Sequence, residues 1–376
     1  MKTLRQIKNS VPKTDKVMLY LTLVLVVVGL IMMFSASYAN ALYYKNDGFH
    51  YIKRQAAFAA LGLVAMMAIS YFPYRLLHKK DFPWIAFAAS WLMLLATLGM
   101  PEINGSKRWI VIGSFTFQPS EIVKFTIILL FAHMIAQRPT QMRDFRMGFI
   151  RFMVPLGLVV MVMMCQTHLS GTILICIFAF VVMIVGGSRL SHFVATAAIV
   201  IPAGLLALFT IPALGYAKKR VLTMFSGGDA AGDAYQINQS LLAIGSGGLF
   251  GLGLGNSRQK QLYVPEPQND FIFSIIVEEL GFIGGAVIIM LFMYFVFRGI
   301  KIALGARDKF GALLVTGITA QIGVQALLNI AVVTATIPNT GISLPFFSQG
   351  GTSLFLLLCE MGVVLSVARY SSTNES

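Results

Sequence analysis

Ten stretches of roughly twenty residues, apolar on every face, dominate this sequence. They fall near 16–36, 52–72, 82–100, 119–137, 151–165, 170–186, 191–212, 271–298, 309–335 and 349–369. A helix needs about 20 apolar residues to cross the hydrocarbon core of a bilayer. Of the 376 residues only 12% are charged, against about 25% in a soluble domain, so the chain cannot cover such runs with polar surface. The sequence predicts an all-α polytopic membrane protein of about ten transmembrane helices. It forms one integral membrane domain over 1–376, with no room for a sizeable soluble domain. Because the runs are apolar all round, length and Gly/Pro punctuation mark them better than helical periodicity does. The first run exceeds the 7–15 residues, roughly, of a signal-peptide core and reads as an uncleaved anchor. The small-residue run from Ser35 to Ala41 leaves a cleavage site open.

A net charge of +14 invites a nucleic-acid reading, but the charge follows topology instead. With the N-terminus cytoplasmic, the inner segments carry eighteen of the 29 Lys and Arg residues, including Lys2, Arg5, Lys8, Arg75, Lys79, Arg143 and Lys301. The short outer loops carry five: Lys45, Lys53, Arg54, Lys107 and Arg108. This bias predicts cytoplasmic tails at 1–15 and 370–376 and no nucleic-acid partner. It also places a long extracytoplasmic loop, 213–270, between the seventh and eighth helices, and loops that long are uncommon without function. Within it lie Lys218, Lys219, Arg220, Arg258 and Lys260, and 236–250 suits a short interfacial helix. Gly245, Gly247, Gly248, Gly251, Gly253 and Gly255 match a dinucleotide fingerprint only loosely, since no strand–helix alternation surrounds them. Close backbone packing is the better reading. Cys165, Cys176 and Cys359 all lie in apolar runs and read as inert buried thiols. No His/Cys/Asp spacing suggests zinc.

Chemistry is sought where charge is expensive. Glu121, Lys124, Glu278, Glu279 and Glu360 lie within or at the ends of apolar runs, and each costs about 2.5–3.5 kcal/mol at mid-membrane unless paired or hydrated. Glu121 and Lys124, at i and i+3, share a helix face. Either an internal salt bridge or a polar cavity offering Lys124 to an anion accounts for them, and the two are compatible. Arg108-Trp109 stands about ten residues before Gln118-Pro119-Ser120-Glu121. Arg108 and Lys124 can therefore flank one outward pocket suited to a phosphate or pyrophosphate. Asp270 closes the Pro-constrained segment that holds Glu266 and immediately precedes an apolar run. It is either a helix N-cap or a general base at the membrane surface.

These residues resemble the SEDS family of bacterial peptidoglycan polymerases. The resemblance covers nearly the whole chain and rests on four segments: Asn104-Gly105-Ser106-Lys107-Arg108-Trp109; Gln118 to Lys124; Val264 to Phe273 followed by Glu278-Glu279-Leu280-Gly281; and Pro338 to Ser353. Phe346-Phe347-Ser348-Gln349-Gly350-Gly351-Thr352 favours the division branch, with its sporulation variant, over the elongation branch. The resemblance implies a multi-pass protein of the bacterial cytoplasmic membrane with an outward-facing site. It implies that lipid II is the substrate and that undecaprenyl pyrophosphate leaves with inversion at MurNAc C1. Asp270 would be the catalytic base. Lys124, Arg108, Glu121, Trp109, Glu266 and Ser120 would bind substrate. No cofactor is certain; a divalent cation, Mg or Mn, would assist the leaving group, but no carboxylate cluster is evident to hold it. Membrane lipid, a class B penicillin-binding protein transpeptidase and other division proteins are the implied partners. A lipid II flippase is the alternative from another class. Two positions depart from the family. His168 stands where a carboxylate is usual, so no role carries over to it, and Gln349 stands where a Tyr is frequent.

Overall fold

The computed structural model describes residues 14–102, 106–113, 115–166, 168–210, 215 and 233–371. Asn104, Gly105 and Thr167, Lys2 to Lys13 of the N-terminal tail, Lys218 to Arg220 of the long loop and the end from 372 lie outside the described residues.

In chain order the helices are α1 (Lys16–Lys45), α2 (His50–Tyr71), α3 (Phe82–Ala96), α4 (Pro119–Gln137), α5 (Arg151–Cys165), α6 (Leu169–Gly186), α7 (Leu190–Thr210), α8 (Asp233–Ser246), α9 (Ile272–Leu304), α10 (Lys309–Val333) and α11 (Gly351–Arg369). Among the described residues, nine helices are long and apolar enough to cross a membrane. They coincide with nine of the ten expected spans. The remaining expectation, 191–212, falls on α7, whose described apolar part is Leu190–Gly204. The short helix expected at 236–250 is present as α8, over Asp233–Ser246. The boundaries follow local chemistry that hydropathy does not report. Asp15 caps α1 by accepting from the Met18 amide at 2.9 Å, and the helix runs to Lys45, where Asn46 turns left-handed at φ 53.

α4 is the central helix. Residues 126–135 are buried on every side, as expected of a helix apolar all round. α11 lies along α2, α9 along α10, and α3 covers one flank of α4. Small residues set the α2–α11 approach: a Cβ on Gly62 would stand 2.6 Å from Leu358 Cδ1.

Two features depart from uninterrupted helices. Ile110–Ile112 (β1) and Phe115–Phe117 (β2) form a two-stranded antiparallel hairpin with Ile110 opposite Phe117. Its branched and aromatic residues suit strands, and Gly113 takes φ 61 at the turn. The second feature is a break in α9 at Gly281, whose φ of 73 and ψ of −176 lie outside the helical region. The break frees backbone groups that the glycine-rich loop takes up. Leu252 and Gly253 amides donate to Glu278 and Glu279 carbonyls at 2.9 and 3.0 Å, and the Phe282 amide donates to Gly248 O at 2.8 Å. A Cβ on Gly251 would stand 2.2 Å from Glu279 O. The close-packing reading of the glycines therefore holds at Gly251 and Gly247, whereas nothing approaches Gly245, Gly248 or Gly255. One expectation is corrected: Cys165, at the end of α5, is exposed on the bundle surface rather than buried, and Cys176 and Cys359 are half-buried.

Candidate active site

α2, α4, α6, α9 and α11 begin at the same end of the bundle. A cavity of about 340 Å³ opens among those beginnings, and Asp270, Glu266, Arg108, Trp109, Ser120, Glu121 and Lys124 all line it. The hairpin accounts for the first convergence. Pairing Ile110 with Phe117 folds Arg108 and Trp109 back beside Gln118 and the first turn of α4. Pro119 at N1 starts that turn and presents Ser120 and Glu121.

Lys124 Nζ lies 2.8 Å from Glu121 Oε2, and its side chain is only 6% exposed. Ser353 Oγ, from the start of α11, donates to Glu121 Oε2 at 2.9 Å. The salt bridge expected of this pair is present, and both side chains line the cavity.

Asp270 is half-buried and sits on a backbone tied down from three sides. Asn329 Nδ2 donates to Asp270 O at 2.7 Å and to Ile342 O at 2.6 Å. Ser348 Oγ donates to Asn269 O at 2.6 Å, and the Gln349 amide donates to Gln268 O at 2.8 Å. The segment 338–350 is therefore a brace for the segment 264–270. Gly341, left-handed at φ 67, leaves the space that the Asp270 carboxylate fills: a Cβ there would be 3.3 Å from Oδ2. The N-cap position of α9 falls on Phe271. Glu266, also left-handed at φ 47, accepts from Asn269 Nδ2 at 2.6 Å.

Glu278 and Glu279 have a different task from the cavity carboxylates. Glu279 Oε1 pairs with Lys260 Nζ at 2.7 Å, and both side chains are buried. Ser35 Oγ donates to Glu279 at 2.8 Å. Glu278 accepts from Ser257 Oγ at 2.5 Å and from the Arg258 amide at 2.9 Å. Together they fasten the long loop to α9 and α1. Glu360 is buried beneath Glu121 and accepts from Gln321 Nε2 at 2.9 Å.

His168 stands at the N-cap position of α6, but its side chain makes no capping bond. Its ring lines the cavity. Burial, with Arg108 and Lys124 nearby, pushes the imidazole pKa down to about 3. The ring is therefore neutral at physiological pH. Among the described residues no group of three or more His, Cys, Asp and Glu side chains could hold a metal ion.

The first turn of α2 also faces the cavity, through His50, Tyr51, Arg54 and Gln55. Sequence reasoning counted Arg54 only as a loop charge. The polar pair Arg54-Gln55 at the entry of an apolar run was the available signal.

A multi-pass helical membrane protein is defined by this bundle, with a cavity at one end that gathers cations around a braced carboxylate. The chain belongs to the FtsW/RodA/SpoVE family: the family model, described as cell cycle protein, matches residues 15–373. It is 42% identical over 364 residues to stage V sporulation protein E of Bacillus subtilis, covering 95% of this chain and 97% of that one. It is 35% identical to a probable peptidoglycan glycosyltransferase FtsW of Geobacter sp. strain M18, covering 94% and 96%. In structure it is similar, with TM-score 0.79 and 25% identity over 95% of this chain and 98% of the other, to a chain of a peptidoglycan synthase complex that coordinates polymerization and crosslinking. The rod shape determining protein RodA of Thermus thermophilus follows with TM-score 0.70 and 27% identity, covering 96% and 98%.

Proposed function

We propose that this protein is a peptidoglycan glycosyltransferase that polymerises lipid II at the outer face of the cytoplasmic membrane. The observation that carries this reading is the convergence of Asp270 with Arg108 and Lys124 in one cavity. The reaction joins the GlcNAc 4-hydroxyl of one lipid-linked unit to MurNAc C1 of another. Asp270 takes the hydroxyl proton as general base. The C1–O bond to the diphosphate breaks, inverting the anomeric centre, and undecaprenyl pyrophosphate leaves. Arg108 and Lys124 meet the charge that develops on it. Trp109, Ser120, Glu121 and Glu266 line the space for the two sugars and their headgroups. The 18-to-5 bias of basic residues supports an outward cavity and cytoplasmic termini. The names of the FtsW relative and of the synthase complex support both the reaction class and a class B penicillin-binding protein as partner. The similarity to the sporulation protein supports a role in division or spore-wall synthesis over elongation.

Transport of lipid II is the competing reading, and it requires polar groups along a path through both leaflets. Beyond Glu121 and Glu360 lies a second cavity, of about 410 Å³, walled mainly by Ile69, Phe72, Leu76, Ile122, Phe125 and Leu356. Its apolar walls argue for polymerisation.

The test uses the purified chain in detergent with lipid II and its transpeptidase partner, with glycan polymer resolved on gels. Asp270→Asn is expected to lower the rate by about 10²–10⁴-fold, the usual worth of a general base. Undiminished product from Asp270→Asn removes the base assignment. Lipid II crossing liposomes, with no polymer under any partner or cation condition, favours transport.

A further inference from the structure

α6 begins inside the cavity. Ser170 and Gly171 of its first turn line the wall, and the first i to i−4 bond of the helix runs from the Thr172 amide to His168 O at 3.1 Å. The amides before it therefore lie at the positive end of an 18-residue helix, where phosphates bind readily. His168 lies over that turn. A Cβ on Gly171 would stand 2.5 Å from His168 Cε1 and 2.9 Å from Nδ1, so only glycine leaves room for the ring there.

Two polar atoms of this wall are buried without a hydrogen-bond partner: His168 Nδ1 and Arg108 Nε. An unsatisfied buried donor costs about 1–3 kcal/mol, so a ligand that supplies acceptors gains from Arg108 Nε, and from His168 in the tautomer that carries its proton on Nδ1. Lys124 differs, because Glu121 already holds it at 2.8 Å. Neutral His168 adds a donor without drawing Arg108 into an internal ion pair. A carboxylate at 168, usual in the family this chain resembles, would lie beside Arg108 and the helix terminus and satisfy them itself.

We infer that Arg108, His168 and the N-terminus of α6 form a phosphate-binding subsite, in which the Nδ1–H tautomer of His168 donates to an oxygen of a lipid-linked diphosphate. The inference rests on the reading of this cavity as a lipid II site. It adds His168 as a binding residue and makes residue 168 a determinant of how tightly the diphosphate is held.

The test measures binding of undecaprenyl pyrophosphate to the full chain in detergent by calorimetry, with inorganic pyrophosphate as competitor. His168→Ala is expected to weaken binding about ten-fold, the loss of one charge-assisted hydrogen bond. His168→Asn, whose amide can replace Nδ1–H, should bind within about two- to three-fold of wild type. His168→Asp, nearly the same size as Asn, should bind more weakly than His168→Ala because its carboxylate repels the ligand and occupies Arg108. Thermal unfolding without ligand separates these effects from misfolding, and the Asn/Asp pair gives the answer even where Ala does not fold. Equal binding by the Asn and Asp variants overturns the subsite, as does competition by inorganic pyrophosphate that is indifferent to residue 168. Polymerisation is assayed separately. A wild type that binds the diphosphate through His168 but makes no polymer refutes the glycosyltransferase reading and leaves the subsite standing. Polymer formation with unchanged KM and product inhibition in the Asp variant does the reverse.

Discussion

The two ends of the bundle use similar side chains to opposite effect. At the end where α10 begins, Asp308 accepts from the Gly311 amide at 2.7 Å, from the Tyr74 hydroxyl at 2.6 Å and from Arg75 Nε at 3.2 Å. Near it, Asp15 caps α1 and holds Arg298 Nη2 at 2.5 Å. These carboxylates join helix starts to neighbouring helices and are closed by protein groups. At the cavity end, Arg108 Nε, His168 Nδ1 and Gln349 Oε1 are buried without partners, while the backbone beneath Asp270 is braced by Asn329 and Ser348. There the backbone beneath Asp270 is braced, and three polar atoms of the cavity wall are left without a protein partner. The carboxylates at one end are closed by protein groups, whereas the cavity wall at the other keeps unpartnered polar atoms.

The same substitution at both ends should separate these roles. Asp270→Asn is expected to cost about 10²–10⁴-fold in polymerisation with little change in thermal unfolding. Asp308→Asn should leave the polymerisation rate near wild type and lower stability by about 1–2 kcal/mol through the weakened cap and hydrogen bonds. A large activity loss in Asp308→Asn at intact stability would erase the distinction. Lys124→Met tests the one place where both roles meet. Removing the cation strands Glu121 in a buried setting, so a stability loss of about 3–5 kcal/mol should accompany loss of activity. Loss of activity alone would mean that Glu121 is neutralised some other way.

The smallest effect is acidic. Burial alone would raise the Asp308 carboxyl, but the Tyr74 hydroxyl, the Gly311 amide and Arg75 outweigh it and hold its pKa below the ordinary value. A depressed folded-state pKa contributes stability at neutral pH, and this is lost as pH falls from about 4 through the folded value. Unfolding temperatures measured from pH 7 to pH 3 should show the gap between wild type and Asp308→Asn narrowing on acidification. A gap that widens contradicts this account.

Length and hydropathy alone placed nine spans, and the i, i+3 spacing identified the Glu121–Lys124 pair. Local composition also marked Asp270, because a carboxylate seldom stands between a proline-rich segment and an apolar run. The unread features depend on distant partners. Glu278 and Glu279 read as costly membrane charges because Lys260 and Ser257, which meet them, sit in a loop of unknown path. Gln55 read as part of an ordinary span because its partners lie at 348 and 350. The site role of His168 depends on Arg108 and on the start of α6, which only the folded chain brings together. The hairpin at 110–117 was too short to stand out beside the apolar runs on either side.

Gln55 also sets the order in which the molecule can be completed. Its Oε1 accepts from the Gly350 amide at 3.1 Å, a residue 295 positions further along, and Gly350 to Ser353 form part of the cavity wall. At about 5–20 residues per second, the ribosome delivers that wall roughly 15–60 s after α2 has emerged. Only when the last of that interval has passed are all walls of the cavity present, since α4, α6 and α9 are made within it. A chain arrested before residue 351 would reach the membrane but carry no finished site.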